Sequence, residues 1–175
     1  IAEEEVKKGV ESANRYNLYN GSLVAIDPNN GEVIAMVGSV DYWNTEDPRV
    51  DGNVNIATSL RQTGSSAKPY TYLAAITQGY GPWTEAPDLK MSFGNYEPVN
   101  WDFKYYGLMT ARRALVQSRN LPAVYTLQIA GIDSLINVVE KLGITTMSDK
   151  ANYGLSLALG SGEMTLLEHT AAFGV

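Results

Sequence analysis

An α+β fold is predicted from three observations. Two β-rich apolar runs flank a Pro/Asn/Gly turn near the N-terminus, helical periodicity dominates after about residue 65, and capping residues and glycines divide the helical part into short pieces. At 175 residues, with 45% apolar and 18% charged side chains, the chain suits one ordinary domain with a sizeable core.

Residues 3–17 carry Val6, Val10 and Ala13 at helical spacing between charges, which predicts an amphipathic helix. Leu23-Val24-Ala25-Ile26 and Glu32-Val33-Ile34-Ala35-Met36-Val37 surround Asp27-Pro28-Asn29-Asn30-Gly31. That is a β-hairpin, and both runs are apolar enough to be covered on each face. Residues 38–54 are polar and predict a loop. A helix follows over residues 65–78 and stops at Gly79. Residues 81–108 hold Pro82, Pro87, Pro98 and many aromatics, and predict an irregular loop with its own packing. Thr110 caps a helix through Gln117, and a second starts near Pro122. Asp133 caps a third with Leu135, Val138, Val139 and Leu142 on its apolar face, before Gly143. Thr165-Leu166-Leu167-Glu168 matches a capping box for a last helix.

The net charge of −6 leaves no basic stripe for phosphates and argues against a nucleic-acid partner. The absence of cysteine excludes disulfides and Cys-based metal sites, and the lone His169 has no histidine partner for a metal; no cofactor is expected. No apolar run is long enough to span a bilayer, and the acidic start is unlike a signal peptide. A chain that opens at Ile1 and stops in an apolar run at Val175 suggests a piece of something larger.

Phosphate loops, H-E-x-x-H and G-x-S-x-G motifs are absent. His169 fits a half-buried helix residue better than the base of a serine triad. What remains is Gly64-Ser65-Ser66-Ala67-Lys68-Pro69. Three residues apart in a first helical turn, Ser65 and Lys68 share a face, as a serine nucleophile and a lysine base require. The lysine must be kept deprotonable by desolvation or a neighbouring cation. By itself the tetrapeptide fits an N-cap serine and a solvated lysine at least as well. A second element, Ser118-Arg119-Asn120, sits between two helices, where a hydroxyl and an amide can both face a cleft. Ser12-Ala13-Asn14 shows that such a match also arises by chance.

Ser-x-x-Lys followed by Ser-x-Asn resembles the penicillin-binding proteins and serine β-lactamases, and the wider context resembles the transpeptidase domain of class A (bifunctional) penicillin-binding proteins. The segments carrying the likeness are residues 21–28 from Gly21 to Pro28, residues 61–75 from Arg61 to Ala75, residues 96–100 from Tyr96 to Asn100, residues 114–124 from Ala114 to Val124 and residues 157–165 from Leu157 to Thr165. The resemblance implies an antiparallel sheet flanked by helices, incomplete in this chain. Residues 1–20 would be a linker helix and residues 21–175 the N-terminal part of the domain.

It also implies roles. Ser65 would be the nucleophile toward the D-Ala-D-Ala of peptidoglycan stem peptides and toward β-lactams, Lys68 its base, Ser118 the proton relay and Asn120 a substrate ligand. The parent would carry a glycosyltransferase domain and sit, membrane-anchored, at the extracytoplasmic face of a bacterial cell membrane. Family members often have proline where Thr63 and Leu166 stand here. The family's Lys-Ser/Thr-Gly motif is missing, since no lysine here precedes Ser or Thr. Half a catalytic site is therefore expected, and little activity from these residues alone. A β-lactamase would need a carboxylate to drive hydrolysis, and only Glu163 invites that role. Its context suggests the start of a helix instead. A non-catalytic penicillin sensor of the same fold is the remaining alternative.

Overall fold

The computed structural model describes residues 1–147 and 152–175. The elements run α1 Ala2–Ala13, β1 Leu23–Ile26, β2 Val33–Val37, β3 Arg61–Gln62, α2 Lys68–Ile76, β4 Glu85–Asp88, β5 Gly107–Thr110, α3 Ala111–Val116, α4 Asn120–Ala130, α5 Ile132–Lys141, β6 Glu163–Met164 and α6 Leu166–Ala172. Short 3₁₀ segments cover Asn14–Tyr16, Gly64–Ala67 and Leu155–Leu159. The chain divides into two compact units. One comprises Ile1–Arg61, Leu142–Thr146 and Met164–Val175, and the other Gln62–Lys141 and Met147–Glu163. No single helix among the described residues is long and apolar enough to cross a membrane.

In the first unit β1 and β2 pair antiparallel in the register Leu23↔Val37, Val24↔Met36, Ala25↔Ala35 and Ile26↔Val33. The connecting turn forms because the Asp27 carboxylate accepts the Asn29 amide at 2.8 Å and the Gly31 amide returns to the Asp27 carbonyl. Such Asx turns are what Asp and Asn do most readily outside regular structure. Helix α6 packs on β1 and α1 lies against β2. The predicted capping box is present: Thr165 Oγ1 accepts the Glu168 amide at 3.1 Å, and Glu168 reaches on to Thr145 at 2.7 Å. One expectation fails. Strand β2 is not covered on both faces, because Val33, Ile34 and Met36 are exposed, Ile34 by 70%, and only Val37 is buried. A strand so apolar on its open face is built to be paired or covered.

The second unit is centred on α4. Leu121, Ala123, Val124 and Leu127 are fully buried there. Against α4 pack α2, α5 and the 3₁₀ segment Leu155–Leu159. Leu135, Ile136 and Val139 supply the inner face of α5, and Leu157 and Ala158 that of the 3₁₀ segment. Each large aliphatic side chain taken out of water here contributes about 1.5–3 kcal/mol. Asp133 lies in the first turn of α5 and not at its N-cap. Residues 81–108 depart from the loop expectation, since β4 and β5 form an antiparallel ribbon with Ala86↔Met109 and Pro87↔Leu108 in register. Proline inside a strand hid the ribbon from the sequence reading. Pro87 is tolerated because each strand of a two-stranded ribbon is an edge.

Candidate active site

Ser65 stands on the 3₁₀ turn Gly64–Ala67, ahead of the α-helix and not within its first turn as the spacing suggested. Gly64, at φ +58°, bends the chain into this turn. In 3₁₀ geometry residues i and i+3 eclipse, so Ser65 and Lys68 still project from one side. Both neighbouring serines are exposed, and Ser66 Oγ donates to the Thr63 carbonyl at 2.7 Å, bracing the turn. Gly160, at φ +81°, closes the Leu155–Leu159 segment against this turn, and a Cβ at Gly160 would collide with the Gly64 backbone. Glycine is required there by close approach as well as by φ.

Lys68 opens α2 and is wholly buried. A solvated spectator is thereby excluded. Its Nζ donates to the Ser118 carbonyl at 2.6 Å, to Ser118 Oγ at 3.1 Å and to Asn120 Oδ1 at 2.7 Å. Three ammonium protons thus meet three acceptors, which offsets the desolvation of a buried charge. These bonds run to the Ser118–Asn120 turn and not to Ser65. Burial, reinforced by the positive charge of Arg119, pulls the amine down to about 8. A deprotonable lysine near neutral pH is what base chemistry on a serine needs.

The partner turn is held in an unusual backbone state. Ser118 joins α3 to α4 at φ +51°, a left-handed conformation that costs a non-glycine residue about 1–2 kcal/mol. What secures it is the next residue. Arg119 is 2% exposed; its Nε donates to Asp88 Oδ2 at 2.9 Å, its Nη1 to Asp102 at 3.0 Å, and its Nη2 to the Lys104 carbonyl. The guanidinium also lies 4.7 Å over the Tyr106 ring. Asp88 is fully buried and accepts from Asn100 Nδ2 at 2.6 Å. Asn100 Oδ1 in turn accepts the Asn120 amide at 2.8 Å, supplying from a distant loop the cap that α4 lacks locally. Asn120 Nδ2 donates to the Val99 carbonyl at 2.7 Å.

Sequence reasoning brought Ser65, Lys68, Ser118 and Asn120 forward, and the last three are in direct contact. It missed Asp88, Asn100, Asp102, Arg119 and Gly160. The available signals were an arginine inside the Ser-x-Asn triplet and acidic residues in an aromatic-rich segment. Glu163 is exposed on the two-residue strand β6, so it does not begin a helix. His169 is half-buried on α6 with its ring edge-on to Phe173 at 5.2 Å. Among the described residues no group of three acidic, histidine or cysteine side chains could hold a metal ion.

Comparison with known proteins gives the family of the chain. Residues 21–166 match the penicillin binding protein transpeptidase domain family. The chain belongs to that family. It is 32% identical over 163 residues to penicillin-binding protein 1A of Rickettsia bellii, covering 89% of this chain and 19% of the relative. With penicillin-binding protein 1A of Aquifex aeolicus the identity is 37% over 164 residues, covering 89% of this chain and 21% of the relative. The chain therefore spans about a fifth of the curated relatives it matches. Among solved structures, penicillin-binding protein 1A from Haemophilus influenzae superposes with a TM-score of 0.75 at 32% identity, over 89% of this chain and 23% of that one. The PonA1 protein from Mycobacterium tuberculosis in complex with penicillin V gives 0.76 at 20% identity, over 98% and 48%, a likeness of fold. The expected transpeptidase fold, incomplete in this chain, is borne out.

Proposed function

We propose that this chain is the N-terminal part of a D,D-transpeptidase domain that cross-links peptidoglycan, with residues 1–20 leading into it from the rest of a larger protein. That parent is membrane-anchored, carries a glycosyltransferase domain and works at the extracytoplasmic face of a bacterial cell membrane. Ser65 Oγ attacks the carbonyl of the penultimate D-Ala of a stem peptide, and Lys68 accepts the hydroxyl proton. Ser118 relays a proton to the leaving D-Ala amine, and Asn120 hydrogen-bonds the peptide backbone. A neighbouring stem-peptide amine then attacks the acyl-enzyme, forming the cross-link and freeing Ser65. A β-lactam, mimicking D-Ala-D-Ala, acylates the same serine.

The observation that carries this reading is the buried Lys68 amine held against Ser118 and Asn120 and brought down to about 8. The Ser65 amide supplies one oxyanion donor. A second donor belongs to the Lys-Ser/Thr-Gly strand, and loss of such a donor typically costs about 10²–10³ in rate. Penicillin treatment followed by intact mass and peptide mapping tests the reading on this chain and on one extended through that strand. The adduct should fall on Ser65, with much slower labelling of the shorter chain. An adduct on Ser66, or labelling of a Ser65→Ala variant, overturns the nucleophile, and equal rates overturn the need for the strand. Lys68→Arg should abolish labelling, because arginine does not deprotonate in a protein. Near-normal labelling of that variant removes Lys68 as the base.

A further inference from the structure

The network behind Ser118 and Asn120 does more than fill space. Arg119 reaches residues 31 and 17 positions earlier in the chain and ties both to the backbone between the two active-site candidates. We infer that Arg119, clamped from behind by Asp88 and Asp102, is a positioning residue that fixes Ser118 and Asn120 on Lys68 and sets its amine against a permanent positive charge. This rests on the transpeptidase reading for its purpose but not for its geometry.

Three observations support it. Ser118 sits in a strained conformation that must be imposed by its surroundings. Arg119 and Asp88 are both desolvated, so their attraction and the pressure of Arg119 on Lys68 are poorly screened. Among the described residues, the charge acting on the amine is Arg119, offset by its counter-charges Asp88 and Asp102. Helices α3 and α5 turn Arg112, Arg113, Asp133, Glu140 and Lys141 to solvent, α4 beyond Arg119 carries no charge, and the segment Leu155–Leu159 carries none. On α2 itself the ionisable neighbours are Tyr70 and Tyr72, both kept neutral by burial.

A lysine-selective ¹³Cε NMR titration of the 175-residue chain reads the Lys68 amine directly, with Lys68→Met to assign it. Arg119→Gln removes the charge but retains an amide donor for Asp88. The Lys68 midpoint should rise by about one pH unit, a tenfold loss of neutral amine near pH 7. Asp102→Asn keeps an acceptor oxygen for Arg119 and strips away a counter-charge, so the midpoint should move downward. Simple loosening of the fold would hydrate Lys68 and raise its midpoint in both variants. An unmoved midpoint in a folded Arg119→Gln chain overturns the inference. Should that variant fail to fold, an unmoved or raised midpoint in Asp102→Asn overturns it, and a lowered one supports it. Penicillin labelling of Ser65 run alongside keeps the two ideas separate. Titration shifts in this chain, with no labelling of Ser65 in one extended through the Lys-Ser/Thr-Gly strand, would refute the transpeptidase reading and leave the positioning role standing.

Discussion

Arg49 and Arg119 have nearly the same partners and opposite standing in the protein. Each pairs with aspartate and each lies over a tyrosine ring, Arg49 above Tyr19 at 4.3 Å and Arg119 above Tyr106 at 4.7 Å. Arg49 meets Asp47 at 2.7 Å, two residues away on one exposed loop, and its side chain is 58% accessible. Water and salt screen that pair, and local sequence alone brings it together. Arg119 is buried, reaches Asp88 from another part of the fold, and secures a turn that holds Lys68. Contact lists therefore do not rank interactions; desolvation and the sequence distance bridged do.

The comparison can be broken most decisively at Arg119. Arg119→Met leaves Asp88 charged and buried without its partner, which should cost about 3–5 kcal/mol in chemical denaturation. The penalty should persist at high salt, and a loss that vanishes with salt would put Arg119 in the same class as Arg49. Asn100→Ala tests the link from that network to α4, because it uncaps the Asn120 amide and leaves one Asp88 oxygen short of a donor. A loss of about 1–3 kcal/mol is expected, with slower penicillin labelling of Ser65; unchanged labelling would detach the network from the site.

A gentler probe is pH. With its folded value near 8 against an ordinary value near 10.5, Lys68 binds its proton more weakly in the folded chain than in the unfolded one. Between those values the unfolded state holds more protons, so unfolding free energy should rise with pH from about 8. Above pH 10 the tyrosines act oppositely, since burial pushes Tyr70 up to about 12 and only the unfolded state ionises it. Denaturation midpoints followed from pH 7 to 10 in the intact chain and in Lys68→Met should show a rising component that the variant lacks. Smallest of all is Arg49→Gln, whose midpoint should coincide with that of the unaltered chain. A clear loss there would mean that the exposed pair matters after all.

The same contrast shows what the sequence could disclose. Helical spacing, the Asp27–Gly31 turn and the Thr165/Glu168 cap are local, and each appears in the structure as expected. Ser65, Lys68, Ser118 and Asn120 were legible as two short motifs in order. Asp88, Asn100 and Asp102 were not, because their meaning comes from partners 12 to 31 residues away, in a segment whose proline and aromatic content suggested a loop. Arg119 was in plain view between Ser118 and Asn120, yet nothing local distinguishes a buried guanidinium from a solvated one. The open face of β2 was misjudged for a related reason. Apolar composition shows that a strand seeks cover but not whether these residues provide it.

The backbone of Ser118 has a consequence for how such a position can vary. Glycine adopts φ near +51° without steric cost, so a chain chosen for stability alone would favour it there over serine. Glycine would also delete the hydroxyl that meets Lys68. At this one residue the backbone favours glycine and the contact with Lys68 favours serine, so a screen for thermal tolerance alone would drift toward losing that contact. Serine at this position therefore accepts a backbone cost that glycine would avoid, and keeps a hydroxyl against Lys68.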